Sequence, residues 1–322
     1  MLKVVFMGTP EFSVSALRAI HAEGHAIVAV YTQPDKSVGR GLELRPSAVK
    51  RVALELSLSV FQPEKLILPG EFEKLQALSP DVIVVVAYGQ ILKKNVLELP
   101  RFGCVNIHSS LLPRWRGAAP IQWAILTGDA ESGVSTMKLV EKLDAGDVYL
   151  EARTPISAED TAGSLHDRLQ KLGAELILKT LAGLEKSNLS ARAQDETKVT
   201  YASKLAKEME WLDPNVSATD LDRRVRALNP WPGTSLFVRG KLNQRLKVKK
   251  VKPRLDIVGP SGQLFERAGM LLLGTSQGSL ELLSVQWEGK KEIEPGAFLN
   301  GLKGKGESLP LAAGLPENPG VL

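Results

Sequence analysis

Asn106 and His108 stand two residues apart at the end of an apolar run, Phe102 to Val105, and a polar turn follows at once. Side chains alternate along an extended strand, so the carboxamide and the imidazole project the same way. An asparagine N–H₂ donates to an oxygen that gains negative charge during acyl transfer. A histidine takes or holds a proton near neutral pH. Asp144 lies in the turn Leu143-Asp144-Ala145-Gly146-Asp147, after the next strand-like segment. From there it can reach the same crevice, orient the imidazole and favour its charged form. Ser109 and Ser110 neighbour His108, but the G-x-S-x-G elbow of a serine nucleophile is absent. The chemistry expected of this trio is therefore direct attack of an amine on a bound acyl carbon, with no acyl-enzyme. Without Asp144, the same stretch reads as an ordinary strand-to-helix loop.

Other chemistries find less support. Cys104 is the one cysteine, which excludes a disulfide framework and a cysteine-based zinc site. It sits inside an apolar run, where a thiol behaves as a small hydrophobe. Of the histidines His21, His25, His108 and His166, only His21 and His25 have a metal-ligand spacing, and no further ligands converge on them. No metal site is expected. A dinucleotide site is disfavoured too. The turn after the first strand is Gly8-Thr9-Pro10-Glu11-Phe12, which lacks the glycine fingerprint and carries a carboxylate that would repel a pyrophosphate.

The elements that must position the trio follow from periodicity. Leu2 to Met7, Ala26 to Tyr31 and Asp81 to Ala87 read as strands, the last an unbroken β-branched run of the kind buried on both faces of a parallel sheet. Helical spacing separates them at 11–22, 47–56 and 71–78. Strands at 133–140 and 147–155 precede a long amphipathic helix with Leu165, Leu169, Leu172, Leu176, Ile177 and Leu181 on one face. The loop from Gln33 to Leu44 holds a basic pair, Lys36 and Arg40. A long loop in a compact domain is either functional or a solvated insertion. Beyond a polar linker the pattern changes to short strands at Ser235–Val238, Leu246–Val251, Gln263–Phe265, Met270–Leu273 and Leu280–Val285, which suggests a small barrel. The expected fold is α/β: a Rossmann-like parallel-sheet domain over 1–187, a linker over 188–206, and a C-terminal small OB-like β-barrel over 207–310. Residues 311–322 form a Pro/Gly-rich tail expected to be disordered.

The chain has 322 residues, 43% of them apolar and 24% charged, as in soluble globular proteins. Met1 leads straight into a strand, and no apolar run nears the length of a membrane span, so neither a signal peptide nor a membrane segment is expected, and the protein is read as cytoplasmic. The net charge of +5 is unevenly spread. From Arg223 to Arg254 there are eleven basic residues, Arg223, Arg226, Lys247, Lys249 and Lys250 among them, and no acidic one. A basic barrel face suits nucleic-acid phosphates. The competing readings of the run are a solvated surface or an acidic protein partner.

The motifs also resemble a known family. Asn106-x-His108 followed by Ser110-Leu111-Leu112-Pro113 and Gly117, with Asp144 downstream, is similar to the formyltransferases that use 10-formyltetrahydrofolate. The resemblance runs through Gly8 to Phe12, Val85 to Gly89, Arg114 to Gln122, Gln194-Asp195-Glu196-Thr197 and Asn229-Pro230-Trp231-Pro232. These stretches look like the members that act on methionyl-tRNA. The resemblance implies transfer of a formyl group from 10-formyltetrahydrofolate to the α-amino group of initiator methionyl-tRNA. It further implies that Asn106 and His108 stabilise the oxyanion, that Asp144 partners His108 in proton transfer, and that Ser110, Leu111, Leu112 and Pro113 hold the folate. The loop carrying Lys36 and Arg40 would meet the acceptor stem, and the basic barrel the tRNA body. A monomer is expected. Two alternatives remain: a formyltransferase acting on a small amine, which needs no basic second domain, and a non-catalytic RNA-binding protein, against which the intact trio argues.

Overall fold

The computed structural model describes residues 1–38, 43–240, 243–304 and 308–316. By compactness the chain forms two units. The first takes in 1–120, 131–155 and 166–203, and the second 121–130, 156–165 and 204–322.

The first unit is built on a seven-stranded sheet, counted among the described residues. In spatial order its strands are Val148–Pro155, Glu131–Lys138, Cys104–His108, Val82–Val86, Lys3–Gly8, Ala26–Tyr31 and Val60–Phe61. The last five run parallel, Glu131–Lys138 is antiparallel to Cys104–His108, and Val148–Pro155 is antiparallel to Glu131–Lys138 at the sheet edge. Every residue of Val82–Val86 is buried, as an unbroken Val/Ile run requires. Ser47 caps the helix Ala48–Glu55 by accepting from the Lys50 N–H at 2.9 Å. The Rossmann-like sheet expected from the periodicity is therefore present.

One local expectation changes. Where a long loop was expected from Gln33 to Leu44, Lys36–Val38 and Glu43–Arg45 pair as a short antiparallel ladder. A short helix covers Lys94–Leu97.

In the second unit, among the described residues, six antiparallel strands close into a barrel. They are Gln244–Arg254, Thr234–Val238, Leu311–Gly314, Gln263–Arg267, Met270–Gly274 and Ser279–Trp287, and the last pairs back onto the first. A seventh short strand, Glu292–Ile293, pairs onto Ser279–Trp287 outside this closed ring. The barrel core holds Leu236, Leu246, Val248, Leu264, Leu273 and Leu282. One expectation is corrected. Composition predicts disorder from 311 onward, yet Leu311–Gly314 is an integral stave, pairing with Thr234–Val238 and Gln263–Arg267. Leu311 and Ala313 enter the core, so leaving this segment unpaired would expose both apolar surface and two strand edges. Residues 317–322 of the expected tail lie outside the described residues.

Candidate active site

The strand Cys104–His108 carries two of the three expected groups, and all five of its residues are buried. Asn106 lies between Val85 and Met137, and His108 faces Ser135 across the antiparallel ladder. Asn106 is 9% exposed and His108 6%. No hydrogen bond takes up the Asn106 carboxamide among the described residues, so its N–H₂ is left available to an incoming oxygen.

The third group meets them. Asp144 Oδ2 lies 3.9 Å from His108 Nδ1. The other ring nitrogen, Nε2, is 2.9 Å from the Trp115 carbonyl oxygen. A carbonyl only accepts, so Nε2 carries a proton and Nδ1 is the nitrogen free to take one. The backbone N–H of Gly117 donates to Asp144 Oδ2 at 2.8 Å. Residues 115–117 thus hold both members of the pair, one through a carbonyl and one through an amide. Trp115 and Asp144 adopt left-handed φ values of 62° and 45°. Such conformations persist only where the surroundings impose them. Gly117 has φ 124°, and a Cβ there would stand 2.5 Å from the Ala202 carbonyl oxygen, so only glycine fits.

The Ser110 hydroxyl donates to the Arg114 carbonyl at 2.6 Å and not to His108, so no serine–histidine dyad is assembled. Ser135 Oγ donates to the Ser110 carbonyl at 2.8 Å and accepts from the Leu112 N–H at 3.1 Å. Ser110 is therefore turned into its own loop. Leu111, Leu112 and Pro113 border an open cleft of about 620 Å³, whose rim includes Arg114, Arg192 and Lys198.

Sequence reasoning gave no role to two further residues. Arg116 is completely buried, and its Nε and Nη2 donate to Gln194 Oε1 at 3.0 and 2.8 Å. Gln194 Nε2 in turn donates to the carbonyls of Asp144 and Gly146 at 2.8 and 2.7 Å. The available signal was an arginine amid residues that must pack, followed by a glutamine in a segment read as linker. Arg116 Nη2 also donates to Glu196 at 2.7 Å, and Lys142 does so at 3.0 Å. These cations hold the Glu196 carboxyl down at about 2, the Arg116 bond contributing most. Burial pushes the Cys104 thiol up to about 12, which keeps it protonated and inert, as its apolar strand suggested.

The basic run separates by residue type. Arg226 bonds Asp222 at 2.9 Å and the Asp160 carbonyl at 3.0 Å, and Arg223 bonds Asp220 at 3.2 Å while its guanidinium packs on Gly128. Arg245 pairs with Glu210, and Arg254 with Asp256 and Glu281. Arg223 and Arg226, expected to contact nucleic acid, make these contacts within the second unit. The lysines differ. Lys247, Lys249, Lys250 and Lys252 lie on Gln244–Arg254 and have no carboxylate partner among the described residues. A register shift after Val248 interrupts the strict alternation of that strand, so Lys249 and Lys250 both keep some exposure. Lys36 is exposed on its short strand, and Arg40 lies outside the described residues.

A carboxamide left free beside a histidine–aspartate pair, with no serine seated to attack, is an arrangement suited to acyl transfer. The chain belongs to the formyl transferase family: the formyl transferase domain matches residues 2–181, and the formyl transferase C-terminal domain matches residues 204–303. It is 48% identical to the methionyl-tRNA formyltransferase of Methylococcus capsulatus, over 93% of this chain and 96% of the relative. It is 45% identical to that of Parvibaculum lavamentivorans, over 96% of this chain and all of the relative. The crystal structure of the N-formyltransferase from Helicobacter canadensis shares the fold with a TM-score of 0.64 at 18% identity, covering 88% of this chain and 99% of that one.

Proposed function

We propose that the protein transfers a formyl group from 10-formyltetrahydrofolate to the α-amino group of initiator methionyl-tRNA, giving N-formylmethionyl-tRNA. The observation that carries the chemistry is the free Asn106 carboxamide beside the His108–Asp144 pair. The substrates are those that the relatives' names give. Leu111, Leu112 and Pro113 offer apolar surface to a flat ring system, in a cleft whose rim mixes cations with carboxylates, Arg192 pairing with Glu151 and Lys198 with Asp195.

10-Formyltetrahydrofolate supplies the formyl carbon. The amine nitrogen attacks that carbon, the new C–N bond forms, and the bond to N10 breaks. As the carbonyl oxygen gains charge, the Asn106 N–H₂ donates to it. His108 takes the proton shed by the amine at Nδ1, the ring nitrogen not held by Trp115. The imidazolium then faces Asp144 at 3.9 Å, and its Nδ1–H can donate to the oxyanion or return the proton to N10. Asp144 keeps the ring facing the reacting atoms.

A small amine acceptor is the second reading, and the unpaired lysines of Gln244–Arg254 weigh against it. We assign tRNA phosphate contact to Lys247, Lys249 and Lys250, with Lys36 and Arg40 on the loop of the first unit, and place the monomeric enzyme in the cytoplasm. Among the described residues no helix is long and apolar enough to cross a membrane. The reading is tested by offering the enzyme methionyl-tRNA and a nucleotide-linked amino sugar in parallel. Formylation of the tRNA alone is the expected result, and preference for the sugar overturns the assignment.

A further inference from the structure

We infer that Gln194 is a positioning residue for the reaction, acting through Asp144. Asp144 reaches His108 from the tip of a turn, and its left-handed φ of 45° is a conformation the turn would not hold unaided. What holds it is distant in sequence. Gln194 Nε2 donates to two carbonyls of that turn, Asp144 O at 2.8 Å and Gly146 O at 2.7 Å. Two such bonds fix both the height and the tilt of the turn.

The amide of Gln194 cannot swing or flip. Its Oε1 accepts two bonds from the fully buried Arg116 guanidinium, at 3.0 and 2.8 Å. Reversing the amide would aim an N–H₂ at a guanidinium and an oxygen at two carbonyl oxygens, so a single orientation is allowed. The arginine is itself anchored: its own N–H donates to the Thr200 carbonyl at 2.9 Å, and Nη2 bonds Glu196 at 2.7 Å. The same short backbone segment carries the Trp115 carbonyl that takes His108 and the Gly117 amide that takes Asp144. Arg116 lies between these two residues. One three-residue segment and one glutamine therefore set the spacing of His108 and Asp144 from both sides. Gly146 completes the arrangement. A Cβ there would stand 1.7 Å from the Lys138 carbonyl oxygen, so the turn can sit this close to the sheet only with glycine.

Gln194 acts on the site through the turn that carries Asp144, and it also lines the cleft bordered by Leu111, Leu112 and Pro113. It is also fixed by partners that cannot be guessed from spacing, since fifty residues separate it from Asp144. This inference rests on the formyl-transfer reading.

The test is a double-mutant cycle on the full-length enzyme, assayed in single turnover and steady state with methionyl-tRNA and 10-formyltetrahydrofolate. Gln194→Ala strips a buried arginine of its acceptor and can unfold the protein. Gln194→Glu is the informative variant, because it keeps the acceptor for Arg116 and removes the donor to the turn. Gln194→Glu is expected to lower kcat about 10- to 100-fold, the scale of an ångström misplacement. The KM for methionyl-tRNA should stay within about threefold, whereas the folate KM can also rise, because Gln194 lines the cleft assigned to the folate. In an Asp144→Asn background the same change should cost less than about threefold, since residues acting as one unit are not additive. An equal loss in both backgrounds would mean a general structural role and overturn the inference. So would a loss confined to KM, or full activity of Gln194→Glu. A wild-type enzyme that forms no product would instead overturn the formyl-transfer reading itself, along with this inference.

Discussion

At the scale of single residues, the site depends on what each polar atom already does. The Asn106 carboxamide has no internal partner among the described residues, whereas His108 Nε2 is held by the Trp115 carbonyl and Nδ1 faces Asp144 at 3.9 Å. Replacing Asn106 by Ala removes one oxyanion donor, and kcat is expected to fall by about 10²- to 10³-fold. His108→Ala removes the proton acceptor as well, with a loss of about 10²- to 10⁴-fold. Neither side chain belongs to the second unit, so a filter-binding titration should show tRNA affinity unchanged in both variants. A parallel collapse of binding would show that catalysis and recognition are not separable. Cys104 gives a simpler test. Its thiol is fully buried and its pKa is raised to about 12, so a thiol reagent should modify it only after denaturant unfolds the chain. Stoichiometric labelling of the native protein would contradict that placement.

At the scale of elements, what the sequence reveals tracks how local the signal is. Val82–Val86 is legible because an unbroken Val/Ile run has one home, the middle of a parallel sheet. Asn106 and His108 are legible because strand alternation alone puts them on one face. Leu311–Gly314 is not, because both its pairing partners lie far away along the chain and its neighbours are rich in proline and glycine. The ladder of Lys36–Val38 with Glu43–Arg45 is missed because three-residue strands carry too little alternation to read. The clamp of Arg116, Gln194 and Glu196 is invisible for the same reason, being made of bonds between segments some eighty residues apart.

That clamp has a pH signature. Glu196 is held near 2, below its ordinary 4.5, so its contribution to stability is fully present above 4.5 and is lost as pH falls from there toward 2. Glu196→Gln should flatten the dependence of unfolding free energy on pH within that window. The change should be small, because the carboxylate is exposed and its ion pairs are screened. Identical slopes for wild type and variant would show that the pair contributes nothing.

At the scale of the whole molecule, the two units divide the work. On the proposed function, the first holds the acyl-transfer groups Asn106, His108 and Asp144, and the second carries the basic run. The division of the basic run is physical: its arginines lock onto carboxylates and carbonyls, while Lys247, Lys249, Lys250 and Lys252 stay unpaired among the described residues. Replacing these lysines by Ala should weaken tRNA binding and lower the slope of log Kd against log salt by about 0.7 to 0.9 for each phosphate left unneutralised. Replacing Arg226 should lower stability more than it lowers the salt slope, because its bonds are internal. An unchanged salt slope in the lysine variant would move the nucleic-acid face elsewhere.

The central claim is that Asn106, His108 and Asp144 transfer a formyl group to an aminoacylated tRNA. It is tested most directly by incubating the purified enzyme with 10-formyltetrahydrofolate and charged initiator tRNA, and measuring formylmethionyl-tRNA by mass. Wild type should convert the tRNA, and His108→Ala should bind it without converting it. No product from micromolar wild-type enzyme, or full activity in His108→Ala, would contradict the account.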